Sequence, residues 1–148
     1  GETDRFRQVV HAGLTITGVL YALIAVVCWA GREWIALAIA QDPAAASETA
    51  AFLTLVAPTY LFLGVVLASL SVLEQTGAGV LAVILNATYF GLICVIGGYF
   101  ARSAGEATPL YQTMALFNLL GGVVVMAVLW HVRRLERVEA AVDAHQES

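Results

Sequence analysis

Long hydrophobic runs separated by short polar segments dominate the chain. Four runs, at 9–30, 50–73, 78–101 and 113–132, reach the length of about 20 residues with which an α-helix crosses the hydrocarbon core of a bilayer. Backbone polar groups in lipid must be hydrogen-bonded within the segment, and barrel strands would be shorter and would alternate in polarity. The pattern therefore predicts an all-α integral membrane protein, a four-helix transmembrane bundle that forms a single domain over residues 1–148.

The polar segments predict how the helices are joined. The link EQTGAG at 74–79 is short and contains glycine, so the second and third helices should form an antiparallel hairpin. The bundle is then built of two such hairpins. Asp42 followed by Pro43 is typical of a helix start, which places the beginning of the second helix before its hydrophobic run. The link RSAGEATPLYQT at 102–113 is expected to be a loop.

The segment EWIALAIAQDP at 33–43 leaves two alternatives open. It is apolar enough either to extend the first helix outward or to form a short helix that lies in the membrane interface.

Composition excludes several classes of protein. Hydrophobic residues make up 60% of the chain and charged residues 12%, and the mean hydropathy is +0.84, whereas a soluble domain carries about 25% charged residues. The chain has no metalloprotease motif His-Glu-x-x-His, no hydrolase motif Gly-x-Ser-x-Gly, no phosphate-binding glycine loop, no Cys-x-x-Cys motif and no di-acidic motif on a helix. We therefore expect no enzymatic activity, and we expect the lipid bilayer rather than a nucleic acid as a partner.

The arginines predict the orientation of the chain. All seven basic residues are arginine, and five of them lie on the side that contains both ends of the chain. Basic residues favour the cytoplasmic side of a membrane, so both termini are predicted to be cytoplasmic, in the inner membrane of a prokaryote. The last run ends in WHVRR at 130–134, where the aromatic ring and the arginines anchor the helix at the headgroups. Residues 133–148 are predicted to be a cytoplasmic helical tail.

Polar residues inside the hydrophobic runs are the candidate functional positions, because each is costly in lipid and requires a partner. Asn86 and Asn118 can either join helices by hydrogen bonds or line a polar path. Thr54 and Pro58 form a unit that kinks a helix, since proline removes one backbone donor. Glu74 lies at the end of the second run, at the interface.

Small residues spaced by four predict close helix packing. Such pairs let two backbones approach each other, which favours a homo-oligomer or a larger membrane complex. The packing positions are Gly18, Ala22, Gly64, Ala68, Ala87 and Gly91.

Two residue pairs raise the question of a bound cofactor. His11 and His131 fall at a similar depth and could ligate haem b, although a histidine at the headgroup boundary needs no ligand. Cys28 and Cys94 are expected to be free thiols, because a zinc site would require more ligands than they provide. We therefore expect neither a cofactor nor a metal, with haem b as the alternative.

These observations leave three function classes. The sequence favours a non-catalytic membrane subunit, a self-assembling structural or accessory protein. The first alternative is a subunit of an oligomeric channel or transporter, with Asn86, Asn118, Thr54 and Pro58 near the path. The second is a haem b electron-carrying subunit.

Overall fold

The computed structural model describes residues 2–126, without the side chains of 2–7, 9–11 and 76. All the regular elements in this part of the chain are helical. In chain order they are α1 (Glu2–Ala30), α2 (Arg32–Ile39), α3 (Pro43–Val56), α4 (Tyr60–Leu73), α5 (Gly79–Leu92), α6 (Gly98–Ala104) and α7 (Thr108–Met126).

Four of the helical stretches are long and apolar enough to cross a membrane. They are Ala12–Ala30, Pro43–Leu73, Gly79–Ala104 and Thr108–Met126, called here the first to fourth spans. The second span joins α3 to α4 through a 3₁₀ turn, Ala57–Thr59, and the third joins α5 to α6 through a π turn, Ile93–Gly97. The fold prediction of a four-helix integral membrane protein is confirmed. The tail predicted at 133–148 lies outside the described residues.

The fourth helix begins earlier than the sequence predicted. The link expected at 102–113 is reduced to three non-helical residues, 105–107, and Pro109 lies in the first turn of α7. Proline is tolerated there because the first amides of a helix have no intrahelical acceptor. The expectation of a long loop was therefore wrong.

The segment after the first span forms a separate helix. α1 ends at Ala30. The Arg32 guanidinium donates to the Trp29 carbonyl at 2.9 Å and lies 5.5 Å from the Trp29 ring centroid. A cation at a helix C-terminus is favourable, since the carbonyls there are unpaired. α2 then packs on α3, and it exposes Trp34 and Leu37.

Asp42 caps the start of α3 as the sequence predicted. Its carboxylate accepts from the Ala45 amide at 2.8 Å, and Pro43 occupies the first turn.

The second and third spans are joined by a tight turn at Glu74–Ala78. Gly77 has φ of +87° there, a left-handed conformation in which glycine alone is free of strain from a Cβ atom. The end of the molecule that contains this turn is called here the Gly77 side. The opposite end, which contains α2 and the turn at Gly105, is called the α2 side.

Glycines mark where the spans approach one another most closely. The first span packs on the second, where Gly64 faces the Tyr21 ring. The fourth span packs on both its neighbours, with Gly122 against Phe62 of the second span and Gly97 against Leu110. The fourth span therefore contacts both the second and the third.

Candidate functional site

Of the polar residues predicted inside the spans, Asn118 alone is buried in the described structure. Its relative exposure is 3%. Asn86, Thr54, Pro58 and Glu74 are exposed. The structure does not bring them to Asn118.

Asn118 lies at the centre of a chain of hydrogen bonds that joins three spans. The Tyr89 hydroxyl donates to Asn118 Oδ1 at 2.6 Å, and Asn118 Nδ2 donates to Thr59 Oγ1 at 2.8 Å. Thr59 Oγ1 in turn donates to the Val56 carbonyl at 2.7 Å. Tyr89, Asn118 and Thr59, called here the polar triad, thus link the third, fourth and second spans.

The direction of these hydrogen bonds fixes the orientation of the Asn118 amide. A hydroxyl has one hydrogen, and that of Thr59 is donated to the Val56 carbonyl, so Thr59 Oγ1 can only accept from Asn118. The nitrogen of the amide must therefore face Thr59, and the oxygen must face Tyr89. The Tyr89 hydroxyl then has to be the donor. One hydrogen of Asn118 Nδ2 remains for another acceptor.

The 3₁₀ turn at Ala57–Thr59 leaves the Val56 carbonyl free to accept from the Thr59 hydroxyl. In the turn the Tyr60 amide donates to the Ala57 carbonyl. The Tyr60 amide would bond to the Val56 carbonyl in a regular α-helix. The Thr59 hydroxyl donates to that carbonyl here. Pro58, which has no amide hydrogen, lies in the middle of the turn.

Two cavities lie on either side of the polar triad. The α2-side cavity, of about 270 Å³, is lined by all four spans and includes Tyr21, Phe52, Tyr60, Phe90, Met114 and Asn118. The Gly77-side cavity, of about 420 Å³, is formed by the second, third and fourth spans and includes Ser69, Leu70, Thr88, Tyr89 and Phe117.

The hydrogen-bonded pair of Tyr89 and Asn118 belongs to the wall between the cavities. Asn118 lines the α2-side cavity and Tyr89 lines the Gly77-side cavity, and the two side chains are bonded to each other. The residues of the second span that line the α2-side cavity lie within 52–63, and those that line the Gly77-side cavity lie within 66–73. The two cavities are therefore stacked along the span.

The small residues predicted to pack are not all in one environment. Gly64 is buried, and a Cβ atom on it would lie 2.4 Å from Tyr21 Cγ, so its close approach is made within the chain. A Cβ atom on Gly18 or Gly91 would meet nothing within 4 Å. Ala22 and Ala68 are half-buried, and Ala87 is exposed.

The described residues include both cysteines of the cofactor predictions but not the side chains of the two histidines. His131 and the side chain of His11 lie outside the described residues, so the haem alternative stays a prediction. Cys28 and Cys94 are both free thiols. Among the described residues no three histidine, cysteine, aspartate or glutamate side chains form a group that could hold a metal ion.

Comparison with known proteins identifies the family. Residues 1–100 match the model of the MatE family. This chain belongs to the MatE family. MatE is a family of membrane transporters, so the chain is an integral membrane protein related to transport. No curated protein and no solved structure matches it.

Membership of the MatE family bears on the three function classes. The transport class was the first alternative, and its coarse form is now established. The accessory role that the sequence favoured, the oligomer and the absence of enzymatic activity stay predictions.

Two members of the polar triad were not predicted. Threonine and tyrosine are ordinary residues in membrane helices, and neither Thr59 nor Tyr89 interrupts its hydrophobic run. The available signal was depth, since Thr59, Tyr89 and Asn118 all lie near the middle of their spans. A polar residue at that depth requires a partner at the same depth.

Proposed function

We propose that this MatE chain forms part of a path by which a solute crosses the membrane, and that the two cavities are the halves of that path. The observation that carries the proposal is the hydrogen-bonded pair of Asn118 and Tyr89, each lining a different cavity. In this proposal the polar triad is the gate between the halves.

The energy of the gate suits this role. Opening it requires the loss of two side-chain hydrogen bonds between spans, Tyr89 to Asn118 and Asn118 to Thr59. Each is worth about 0.5–1.5 kcal/mol net, so opening costs about 1–3 kcal/mol. A state a few kcal/mol above the ground state is populated well enough for a ligand to select it.

A hinge lies next to the gate. Thr59 belongs both to the 3₁₀ turn of the second span and to the polar triad. Short 3₁₀ segments in the middle of a helix often mark functional hinges. We place the hinge at Ala57–Thr59, so that bending of the second span moves Thr59 away from Asn118. The kink predicted from Thr54 and Pro58 then acts through Thr59.

We also propose that the chain works within a larger membrane assembly. Asn86 is exposed on α5 and has no hydrogen-bond partner among the described residues. An unpaired amide at that depth is costly in lipid, and a partner helix would remove the cost. Gly91 and Ala87 lie on the same helix and would allow that helix to come close. No catalytic step is part of this proposal.

Thiol labelling tests the gate without knowledge of the solute. In a background with Cys28 and Cys94 replaced by serine, single cysteines replace Met114, in the α2-side cavity, and Ser69, in the Gly77-side cavity. A membrane-impermeant methanethiosulfonate reagent is applied to proteoliposomes from one side at a time. We expect Met114→Cys to react faster from the α2 side and Ser69→Cys to react faster from the Gly77 side.

The gate variants should remove this sidedness. In Asn118→Leu both cysteines should react from both sides, and Tyr89→Phe, which removes only the donor to Asn118, should act in the same direction. Asn86→Leu is the matched control and should leave the sidedness unchanged. Helicity and gel filtration check that each variant is folded. If Asn118→Leu and Tyr89→Phe keep the native sidedness, the polar triad is not the gate.

A further inference from the structure

The α2-side cavity ends, toward the α2 side, at a contact between the second and fourth spans. Phe52 and Met114 line the cavity. Glu48 precedes Phe52 by four residues and Tyr111 precedes Met114 by three, and side chains at these spacings lie on the same face of a helix. Both spans begin on the α2 side. Glu48 and Tyr111 therefore lie one helical turn beyond the cavity lining, toward the α2 side.

Tyr111 joins the two spans at this level by two contacts. Its hydroxyl donates to Glu48 Oε2 at 3.2 Å. Its ring packs edge-to-face on the Phe52 ring, with the centroids 5.3 Å apart and an interplanar angle of 80°, an arrangement that aromatic pairs favour. Glu48, Phe52 and Tyr111, called here the entrance cluster, thus connect the cavity wall to the α2 end of the molecule.

The entrance cluster and the polar triad hold opposite ends of the same cavity. Each joins the second span to the fourth, one through Glu48 and Tyr111 and the other through Thr59 and Asn118. Glu48 belongs to α3, which precedes the 3₁₀ turn at Ala57–Thr59, whereas Tyr111 and Asn118 share α7. The two contacts are therefore separate points at which the second span is held against α7.

The two contacts differ in strength. Asn118 is buried, whereas Glu48 is exposed and Tyr111 is half-buried. The distance of 3.2 Å from Tyr111 to Glu48 exceeds the range of about 2.5–3.0 Å that is usual for a hydroxyl donor, whereas the distance from Tyr89 to Asn118 is 2.6 Å. The contact in the entrance cluster therefore opens more readily than the polar triad.

We infer that the Tyr111 hydroxyl and the Glu48 carboxylate form an entrance gate to the α2-side cavity. The gate is closed in this structure, and loss of the hydrogen bond frees the Tyr111 ring to turn away from Phe52. This inference rests on the proposed function, because an entrance gate serves a path. It adds a second gate, which opens to the α2 side while the polar triad stays closed.

Access to residue 114 measures the entrance gate. The impermeant methanethiosulfonate reagent is applied from the α2 side to proteoliposomes that contain the Met114→Cys variant. Tyr111→Phe removes the hydroxyl and keeps the ring, so it should raise the labelling rate about two- to tenfold, the worth of one hydrogen bond. An unchanged rate in Tyr111→Phe would overturn the inference.

Two controls distinguish a gate from a general loosening of the bundle. Tyr99→Phe removes a hydroxyl at the same end of the molecule from an exposed side chain of the third span, and it should leave the labelling rate of Met114→Cys unchanged. Ser69→Cys, in the Gly77-side cavity, should be labelled from the Gly77 side at the same rate with and without Tyr111→Phe. Faster labelling of both cysteines in Tyr111→Phe would contradict a local gate.

A double variant tests whether Tyr111 and Glu48 act as a pair. Glu48→Leu removes the acceptor and should speed the labelling of Met114→Cys as Tyr111→Phe does. If the two residues act through their shared hydrogen bond, the double variant should be labelled no faster than either single variant. Increases that add in the double variant would overturn the assignment of this pair. If Glu48→Leu does not fold, the rate in Tyr111→Phe alone decides.

The two proposals fail separately. If Tyr111→Phe speeds the labelling of Met114→Cys but Asn118→Leu keeps the native sidedness, the entrance gate stands and the polar triad is not a gate. If Asn118→Leu removes the sidedness and Tyr111→Phe changes no rate, the polar triad stands as the gate and the entrance gate is wrong.

Discussion

The contact between Gly64 and Tyr21 gives the sharpest stability prediction, through the substitution Gly64→Ala. A Cβ atom at this position would lie 2.4 Å from Tyr21 Cγ and 2.7 Å from both Cβ and Cδ2. Non-bonded carbons are normally about 3.5–4.0 Å apart, so the first and second spans would have to separate by about 1 Å. The atoms concerned are the root of the side chain, which a rotamer change cannot move far.

The expected cost follows from this overlap. Overpacking of a well-packed core costs about 1–3 kcal/mol. Gly13→Ala is the matched control, because Gly13 is also within a membrane helix and a Cβ atom there meets nothing within 4 Å. Alanine is favoured over glycine in a helix by up to about 1 kcal/mol, a gain that both variants share. The difference between the two variants therefore isolates the overlap.

The assay is unfolding of the purified protein in mixed micelles by added sodium dodecyl sulfate, followed by far-UV circular dichroism. Gly64→Ala should unfold at a lower fraction of dodecyl sulfate than the wild-type protein, and Gly13→Ala should not. If the two variants are equally stable, the first and second spans do not approach each other at Gly64 as described.

Two further predictions concern the turn and the orientation. Gly77→Ala should destabilise the protein by about 1–2 kcal/mol in the same assay, because a left-handed φ of +87° places the new Cβ atom in a strained position; Gly79→Ala, at φ of −56° and in open space, should not. Alkaline phosphatase fused after Ser148 should be inactive in cells, since both termini are predicted to be cytoplasmic, whereas phosphatase inserted at Gly105 should be active. An active C-terminal fusion would reverse the predicted orientation.

The four spans could be predicted because the constraint that produces them is local. The backbone of a segment in lipid has to form its hydrogen bonds within that segment, so the length of each hydrophobic run directly indicates a membrane-spanning helix. The start of the fourth helix was missed because Pro109 is typical of a loop and is equally acceptable in the first turn of a helix. Nothing within the segment itself separates these two cases.

The functional role of a polar residue could be predicted less well, because it depends on the rotation of each helix. Asn86 and Asn118 have the same side chain at similar depth, yet one is exposed and the other is buried in the polar triad. The difference comes from the neighbouring helices, which place Tyr89 and Thr59 beside Asn118. The close approach at Gly64 was likewise visible in the spacing of small residues, whereas its partner, Tyr21, was not.

The length of the second span has a consequence for how the protein sits in membranes of different thickness. Pro43–Leu73 contains 31 residues, which corresponds to about 45 Å of helix, whereas the hydrocarbon layer is about 30 Å thick. The excess must be taken up by tilt or by projection into the headgroup region. Because the 3₁₀ turn divides this span near its middle, its two halves can tilt by different amounts. A thinner or thicker bilayer then changes the bend at Thr59, and lipid composition becomes a factor in how tightly the polar triad is held.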